Sequence, residues 1–276
     1  MNWLKEIPIT HRGLHNSSER AENSYAAFDY AVENNLPIEL DLQMTADEKL
    51  IVFHDENLFR MTGLERNVNA VKLEEIKKLR LLNSDQTIPI FCELLEHIDG
   101  KVPLLIEIKN YARPNSCEKK VIADLKNYKG EFALQSFNPL TVRWLKLNAP
   151  NILRGQISSR FRGLPVPLHY KYILRNLTLN FTAKPHFINY NIDDLPHLPV
   201  ELYRNYGIPI IAWTVKTPQQ MKKANDLCDN FVFECPMDWN VISDKAGNCP
   251  TCGMKLKKYS VEETKKNLVK YGYKLK

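Results

Sequence analysis

Short apolar runs recur along the first 235 residues, at 7–11, 37–42, 50–54, 102–108, 131–137, 152–157, 186–190, 208–215 and 231–234. They are rich in Val, Ile and aromatic residues and too short for buried helices, so they read as strands. Helical periodicity lies between most of them. Phe28, Ala31 and Val32 follow Asn23-Ser24, a plausible cap, and that pattern stops before Pro37. Phe91, Leu94, Leu95 and Ile98 recur at i, i+3, i+4 and i+7, and Cys117, Val121 and Leu125 keep one face. Asn138-Pro139 and Thr217-Pro218 each set a capping residue before a proline at the first helical position, and Leu140, Trp144 and Leu147 line one face of the helix that follows the first.

Strands alternating with helices argue for a parallel α/β fold, and eight or nine such strands in about 235 residues favour a (β/α)8 barrel over an open sheet. Nine candidates for eight places make one of them an arm or a hairpin. No helix fits between Asp41 and His54, so the second and third strands join by a loop. The longer stretch between His54 and Glu107 holds more than one helix and turn, and residues 56–100 are expected to form a small lobe over the barrel mouth.

Three strands end abruptly in groups that bind water, metals and phosphates: Ile9-Thr10-His11-Arg12-Gly13, Ile38-Glu39-Leu40-Asp41 and Val52-Phe53-His54-Asp55. Residues i and i+2 of a strand share a face, so Glu39 and Asp41 aim into the barrel together. Two carboxylates that close repel unless a cation or proton lies between them, and a hard divalent ion with oxygen ligands answers that need. Glu107, closing Leu104-Leu105-Ile106-Glu107, offers a third carboxylate. His11 and His54 suit a general acid and a general base near neutral pH. Arg12 presents a planar fork for phosphate oxygens, and Lys109 adds a charge two residues beyond Glu107. Taken singly, each has an ordinary structural explanation, an ion pair or a hydrogen-bonded histidine. Together with a divalent ion they sum to about +1, which suits one phosphodiester charge.

Lys and Arg number 38 against 32 Asp and Glu, a net +6 that reads first as a solvated basic surface. No basic run with interleaved aromatics argues for nucleic acid. The N-terminus, Met1-Asn2-Trp3-Leu4-Lys5-Glu6, is not a signal sequence, and no apolar run approaches the length of a bilayer span. Six cysteines, mostly unpaired in sequence, fit reduced thiols and a cytoplasmic location.

The ordered set His11-Arg12-Gly13, Glu22-Asn23-Ser24, Glu39-Leu40-Asp41, Thr45-Ala46-Asp47 and Val52-Phe53-His54-Asp55 resembles the signature of the glycerophosphodiester phosphodiesterases. Arg60-Met61-Thr62-Gly63, Ile88-Pro89, Glu107-Ile108-Lys109, Ser136-Phe137 and Trp213-Thr214-Val215 continue the likeness in order. The resemblance implies a distorted TIM barrel, residues 1–235, that cleaves small-molecule glycerophosphodiesters to sn-glycerol 3-phosphate and an alcohol. It implies Glu39, Asp41 and Glu107 as ligands of one Mg²⁺ or Ca²⁺, His11 and His54 as acid and base, and Arg12 and Lys109 on phosphate. Phe137 and Trp213 would wall the substrate pocket, although core packing explains either equally well. Water could attack phosphorus directly, or the glycerol 2-hydroxyl could attack first to give a cyclic phosphate; the same histidines serve both. A lysophospholipase D-type hydrolase and a non-catalytic phosphodiester- or metal-sensing barrel are the alternatives. Four motif positions depart from the family pattern: Ala21 for proline, Ser24 for threonine, Glu48 for glycine and Glu234 for aspartate.

Residues 236–276 differ from a plain barrel end. Cys249-Pro250-Thr251-Cys252-Gly253, with Cys235-Pro236-Met237 before it, resembles short heavy-metal-binding modules. Cys235, Cys249 and Cys252 are therefore candidate ligands of a second, softer ion such as Zn²⁺, although Asp238-Trp239 stands where such modules carry His-Pro, and a redox pair or idle reduced thiols are the alternatives. Ser260-Val261-Glu262-Glu263 is a capping box opening a final helix expected to pack on the barrel.

Overall fold

The computed structural model describes residues 2–16, 20–82, 84–110 and 112–234. A single helical turn, α1 (Trp3–Glu6), precedes a two-residue strand, β1 (Ile9–Thr10). The Ser24 hydroxyl accepts from the Ala27 N–H and caps α2 (Tyr25–Glu33), as the sequence requires. Next comes β2 (Ile38–Met44), which folds back on β3 (Leu50–Val52) as an antiparallel hairpin. Three short helices follow: α3 (Phe59–Thr62), α4 (Leu73–Ile76) and α5 (Phe91–Ile98). Plain alternation then sets in with β4 (Leu104–Ile108), α6 (Ser116–Leu125), β5 (Phe132–Ser136), α7 (Pro139–Asn148) and β6 (Arg154–Ser158). Two helices, α8 (Leu168–Arg175) and α9 (Asn180–Ala183), lie before β7 (Phe187–Asn191). The described chain ends with α10 (Leu198–Asn205), β8 (Ile210–Val215), α11 (Pro218–Leu227) and β9 (Asn230–Phe233).

Parallel pairing runs β1-β9-β8-β7-β6-β5-β4-β2, and Thr10 pairs with Ile38 to close the ring. This is an eight-stranded TIM barrel, with β3 as the ninth strand outside it. Closure in one direction brings all eight C-terminal strand ends to one rim.

The barrel interior is layered by strand alternation. Ile9, Leu105, Ala133, Phe187, Ile211 and Val232 fill its lower part, and Trp3 and Leu4 of α1 close that end. The Asn230 side-chain amide donates to the carbonyls of Leu4 (3.1 Å) and Ile7 (2.7 Å) and ties the plug to β9. Gly155 is required here, because a Cβ at that position would lie 2.1 Å from the Phe187 ring. A second apolar layer, including Leu40, Ile106 and Leu134, packs against the helices outside. Residues 51–88 hold a smaller cluster of their own around Phe53, Leu58, Met61 and Ile76.

On α7, Leu140 and Leu147 are exposed and Trp144 packs partly buried against the core, while Thr141, Val142 and Leu145 face the barrel. The inward choice is fixed by a buried polar contact that periodicity does not register: the Thr141 hydroxyl donates to Glu118 of α6 at 2.7 Å.

Because Phe187 occupies the space over Gly155, Gly155→Ala should lower the urea-unfolding free energy by about 1–3 kcal/mol. Combining it with Phe187→Leu should recover part of that loss. Additive losses in the double variant would show that the ring contact is not the cause.

Candidate active site

Glu39 and Asp41 project inward from β2, and the register sets Glu39 level with Leu105 and Asp41 level with Glu107. Glu39 therefore lies one layer deeper than the other two. One oxygen from each of the three carboxylates lies within 4.8 Å of the others, and all three side chains are buried. The Lys109 ammonium sits behind them, 3.1 Å from Asp41 Oδ1 and 2.8 Å from Glu107 Oε1.

Arg12 closes the group from the β1 side. Its backbone N–H donates to Glu39 Oε2 at 3.1 Å, its Nε lies 3.4 Å from Asp41 Oδ2, and its Nη1 donates to Glu22 at 2.8 Å. The turn that allows this is left-handed, with φ of 55° at Arg12 and 75° at Gly13. A Cβ on Gly13 would lie 2.8 Å from Phe28, so the residue after Arg12 has to be glycine. The Asn23 amide donates to Asp41 Oδ2 at 2.8 Å.

Burial, together with the neighbouring Asp41 and Glu107, holds Glu39 well above the usual carboxylate range. Burial and Asp41 also raise Glu107, against the pull of Lys109. Asp41 goes the other way: burial alone would raise it, but Lys109, His54, Arg12 and the Asn23 hydrogen bond together push it well down. Lys109 and Arg12 offset two of the three possible negative charges. A small buried cluster of hard oxygen donors with one charge left over fits a divalent cation such as Mg²⁺ or Ca²⁺.

The histidines come from two different strand ends, after β1 and after β3. His11 follows β1, donates its backbone N–H to Phe233 at 2.8 Å, and holds Nδ1 3.5 Å from Glu234 Oε2, at ion-pair range. Glu234 is itself held by Lys216 at 2.8 Å. Burial pushes His11 down to about 4 despite that carboxylate. His54 Nδ1 lies 2.7 Å from Asp55 Oδ1. Arg60 then joins Asp55 to Glu22, with Nη2 2.6 Å from Glu22 Oε1. The Gln43 amide, two residues past Asp41 on the same face, donates to the carbonyls of Phe53 (3.2 Å) and His54 (3.0 Å) and fixes that loop.

A solvent-open pocket of about 340 Å³ brings His11, Arg12, Glu39, His54 and Glu107 to one side and Ile157, Phe137 and Trp213 to the other. Phe137 and Trp213 meet edge to face at 5.4 Å, and the Trp213 indole N–H donates to the Ser158 carbonyl at 3.2 Å. Lys109, expected on the phosphate, instead faces two carboxylates and is almost fully buried. Its position on the inward face of β4 also puts it within reach of Glu107 and Asp41, and that attraction prevails. Sequence reasoning gave no role to Glu22, Asn23, Gln43 or Glu234. The signal for Gln43 was its place in the 39, 41, 43 alternation, and the first two stood inside a quoted motif. Cys117 and Cys228 are buried, and burial pushes both thiols up to about 12, as befits core residues. Cys235, Cys249 and Cys252 lie outside the described residues.

A closed parallel barrel with three clustered carboxylates, two histidines and an arginine at its mouth has the architecture of a TIM-barrel phosphodiesterase. The profile of the Glycerophosphoryl diester phosphodiesterase family matches residues 11–230. The chain belongs to that family and is a phosphoric diester hydrolase. A glycerophosphodiester phosphodiesterase of Caldanaerobacter subterraneus subsp. tengcongensis is 34% identical over 231 residues, covering 80% of this chain and 90% of its own. A lysophospholipase D of Homo sapiens is 29% identical over 230 residues, covering 78% of this chain and 65% of its own. An Oleispira antarctica phosphodiesterase, solved in complex with the product sn-glycerol-3-phosphate, shares the fold with a TM-score of 0.70 at 21% identity, over 82% of this chain and 91% of its own. The Heavy metal binding domain profile matches residues 232–258. No helix among the described residues is long and apolar enough to cross a membrane.

Burial would raise the pKa of Glu22, but Arg60 and Arg12 bring it below its usual value. A depressed carboxylate contributes stability above its unfolded pKa, and that contribution is lost as pH falls through the folded value. Urea unfolding followed from neutral pH down through about pH 4 should therefore show a shallower decline for Glu22→Gln than for the wild type. Parallel declines would remove Glu22 from the acid response.

Proposed function

We propose that the chain hydrolyses glycerophosphodiesters to sn-glycerol 3-phosphate and an alcohol. The observation that carries this reading is the buried Glu39–Asp41–Glu107 cluster, of which Glu39 and Glu107 line one open pocket together with His11 and His54. A divalent cation held by those three carboxylates, Mg²⁺ or Ca²⁺, would supply positive charge against the phosphoryl oxygens. The remaining steps fall to the chain's own groups.

The Arg12 guanidinium, on the pocket wall, meets a non-bridging phosphate oxygen. His11 is neutral near pH 7 and takes the proton of the attacking hydroxyl, whether that belongs to water or to the glycerol 2-position. Glu234 stabilises the imidazolium that results, and Lys216 keeps Glu234 in place. His54, its Nδ1 turned to Asp55, delivers a proton from Nε2 to the leaving alcohol. Phe137 and Trp213 form the apolar wall against the glycerol or the leaving group. Lys109 serves this reading by balancing charge among the ligands.

For the residues after the barrel, 236–276, we propose a separate soft-metal module in which Cys235, Cys249 and Cys252 bind Zn²⁺, in keeping with the match over 232–258. The sparse cysteines elsewhere support a reducing, cytoplasmic setting.

Release of glycerol 3-phosphate from glycerophosphocholine should stop on adding EDTA and return with Mg²⁺ or Ca²⁺. His11→Ala and His54→Ala should each lower kcat by about 10²–10⁴. Activity indifferent to chelation, or retained in both variants, would overturn the assignment. In metal analysis of the purified chain, the Cys249→Ser/Cys252→Ser variant should lose a bound soft metal while keeping the hydrolase activity. Unchanged metal content would refute the module's role.

A further inference from the structure

The net charge of +6 is unevenly spread. Residues 132–192 contain eight Lys and Arg and no Asp or Glu, which leaves a net −2 on all the rest. No basic cluster marks the stretch; its signature is the absence of acids over 61 residues.

The fold brings the middle of this stretch to the barrel rim. β6 ends at Ser158, and the chain then runs through residues 159–178, including α8, before it returns toward β7. No side chain of α8 is buried, and Leu168 is 83% exposed. Leu164, Tyr170 and Tyr172 are exposed as well. Arg160, Arg162, Lys171 and Arg175 lie among them. The Arg175 guanidinium sits 5.2 Å over the Tyr172 ring, and Arg162 Nε lies 3.4 Å from Asp194, an acid from beyond the stretch.

This surface is continuous with the pocket. Phe161, at the base of the excursion, packs its ring 6.1 Å from Phe137, which in turn meets Trp213 on the pocket wall. Whatever covers the excursion therefore lies beside the pocket's aromatic side.

Two properties have to be satisfied at once. Exposed leucines and tyrosines favour an apolar phase, and a net excess of cations favours an anionic one. A lipid–water interface with anionic headgroups meets both, with Leu and Tyr entering the headgroup–acyl boundary and Arg and Lys meeting phosphates. Nucleic acid would match the charge and the tyrosines but would leave Leu164 and Leu168 in water.

We propose that residues 159–178 dock the barrel mouth on an anionic lipid surface, so that the pocket opens along the interface and takes single-chain phosphodiester lipids from it. The docking stands on the surface itself; the choice of substrate rests on the hydrolase reading above.

The test uses the full chain and vesicles of phosphatidylcholine, with and without about one-third phosphatidylglycerol. The chain should sediment with the anionic vesicles, not with the neutral ones, and raised salt should release it. Leu168→Ser/Tyr172→Ser and Lys171→Glu should each weaken vesicle binding about tenfold. In both variants, hydrolysis of soluble glycerophosphocholine should stay within about twofold of wild type, whereas hydrolysis of lysophosphatidylcholine carried in anionic vesicles should fall about tenfold. Failure of the wild type to bind anionic vesicles, equal binding by the variants, or a preference for single-stranded nucleic acid would overturn the docking. Vesicle sedimentation needs no chemistry, so loss of glycerophosphocholine hydrolysis with binding intact would refute the hydrolase reading alone.

Discussion

The repulsion among Glu39, Asp41 and Glu107 is the constraint that organises the rest of the mouth. Three carboxylates within 4.8 Å of one another, all shielded from water, are not stable as a bare set. The surrounding groups answer that problem one by one. Lys109 bridges two of them from behind, Arg12 donates to one and faces a second, and Asn23 hydrogen-bonds the third side of Asp41. The left-handed turn at Arg12 and Gly13 follows from the same need, because it directs the Arg12 N–H and guanidinium at β2 from the neighbouring strand end. The arrangement leaves a residual negative charge centred on Glu39, which a proton or a divalent cation would neutralise.

The barrel makes such a site possible by separating its contents into levels. Strand alternation sends every second residue inward, and register sorts those residues by height. Leu105, Ala133 and Phe187 form an apolar layer closed below by Trp3 and Leu4, with Glu39 of β2 set beside Leu105 at its upper edge. One step up, Glu107, Gln135 and Asn189 make it polar, with the Asn189 amide donating to Gln135 at 2.9 Å. The lower layer keeps water out and gives the upper one a low dielectric, which is why the charges above shift so far from their usual pKa values. Gly155 and Phe187 show how tight that lower layer is, since one ring takes the volume of two side chains.

Much of this was legible in the sequence because strand ends and i, i+2 spacing are local properties. All nine predicted runs match observed strands to within two residues at each end, and the surplus strand proved to be the β2–β3 hairpin. The first is the shortest, Ile9–Thr10, and α1 before it serves as the barrel plug. What escaped the sequence depends on partners distant along the chain. The outward face of α7 followed from a Thr141–Glu118 bond, and the burial of Lys109 from two carboxylates, one of them on another strand. The Glu22–Arg60–Asp55 chain that supports His54 joins residues up to 38 positions apart. Spacing rules cannot register such pairs, since each member looks like an ordinary surface charge.

The two kinds of charge at the mouth also explain each other. The acids are drawn inward, where strand geometry fixes them and cations compensate them, so their field is largely spent within the site. The cations of residues 159–178 have no acid within their own stretch, and although Asp194 offsets Arg162, a net positive field remains on that side. An anionic substrate approaching the barrel thus meets attraction at the rim before it meets the carboxylates. A buried carboxylate cluster left unscreened at an open mouth would repel that substrate. Holding Lys109 among the carboxylates and concentrating further cations on the β6 side lowers that barrier. Exposed leucines and tyrosines beside those cations then have a physical use: they narrow the attraction from any anion to anions presented at an apolar boundary.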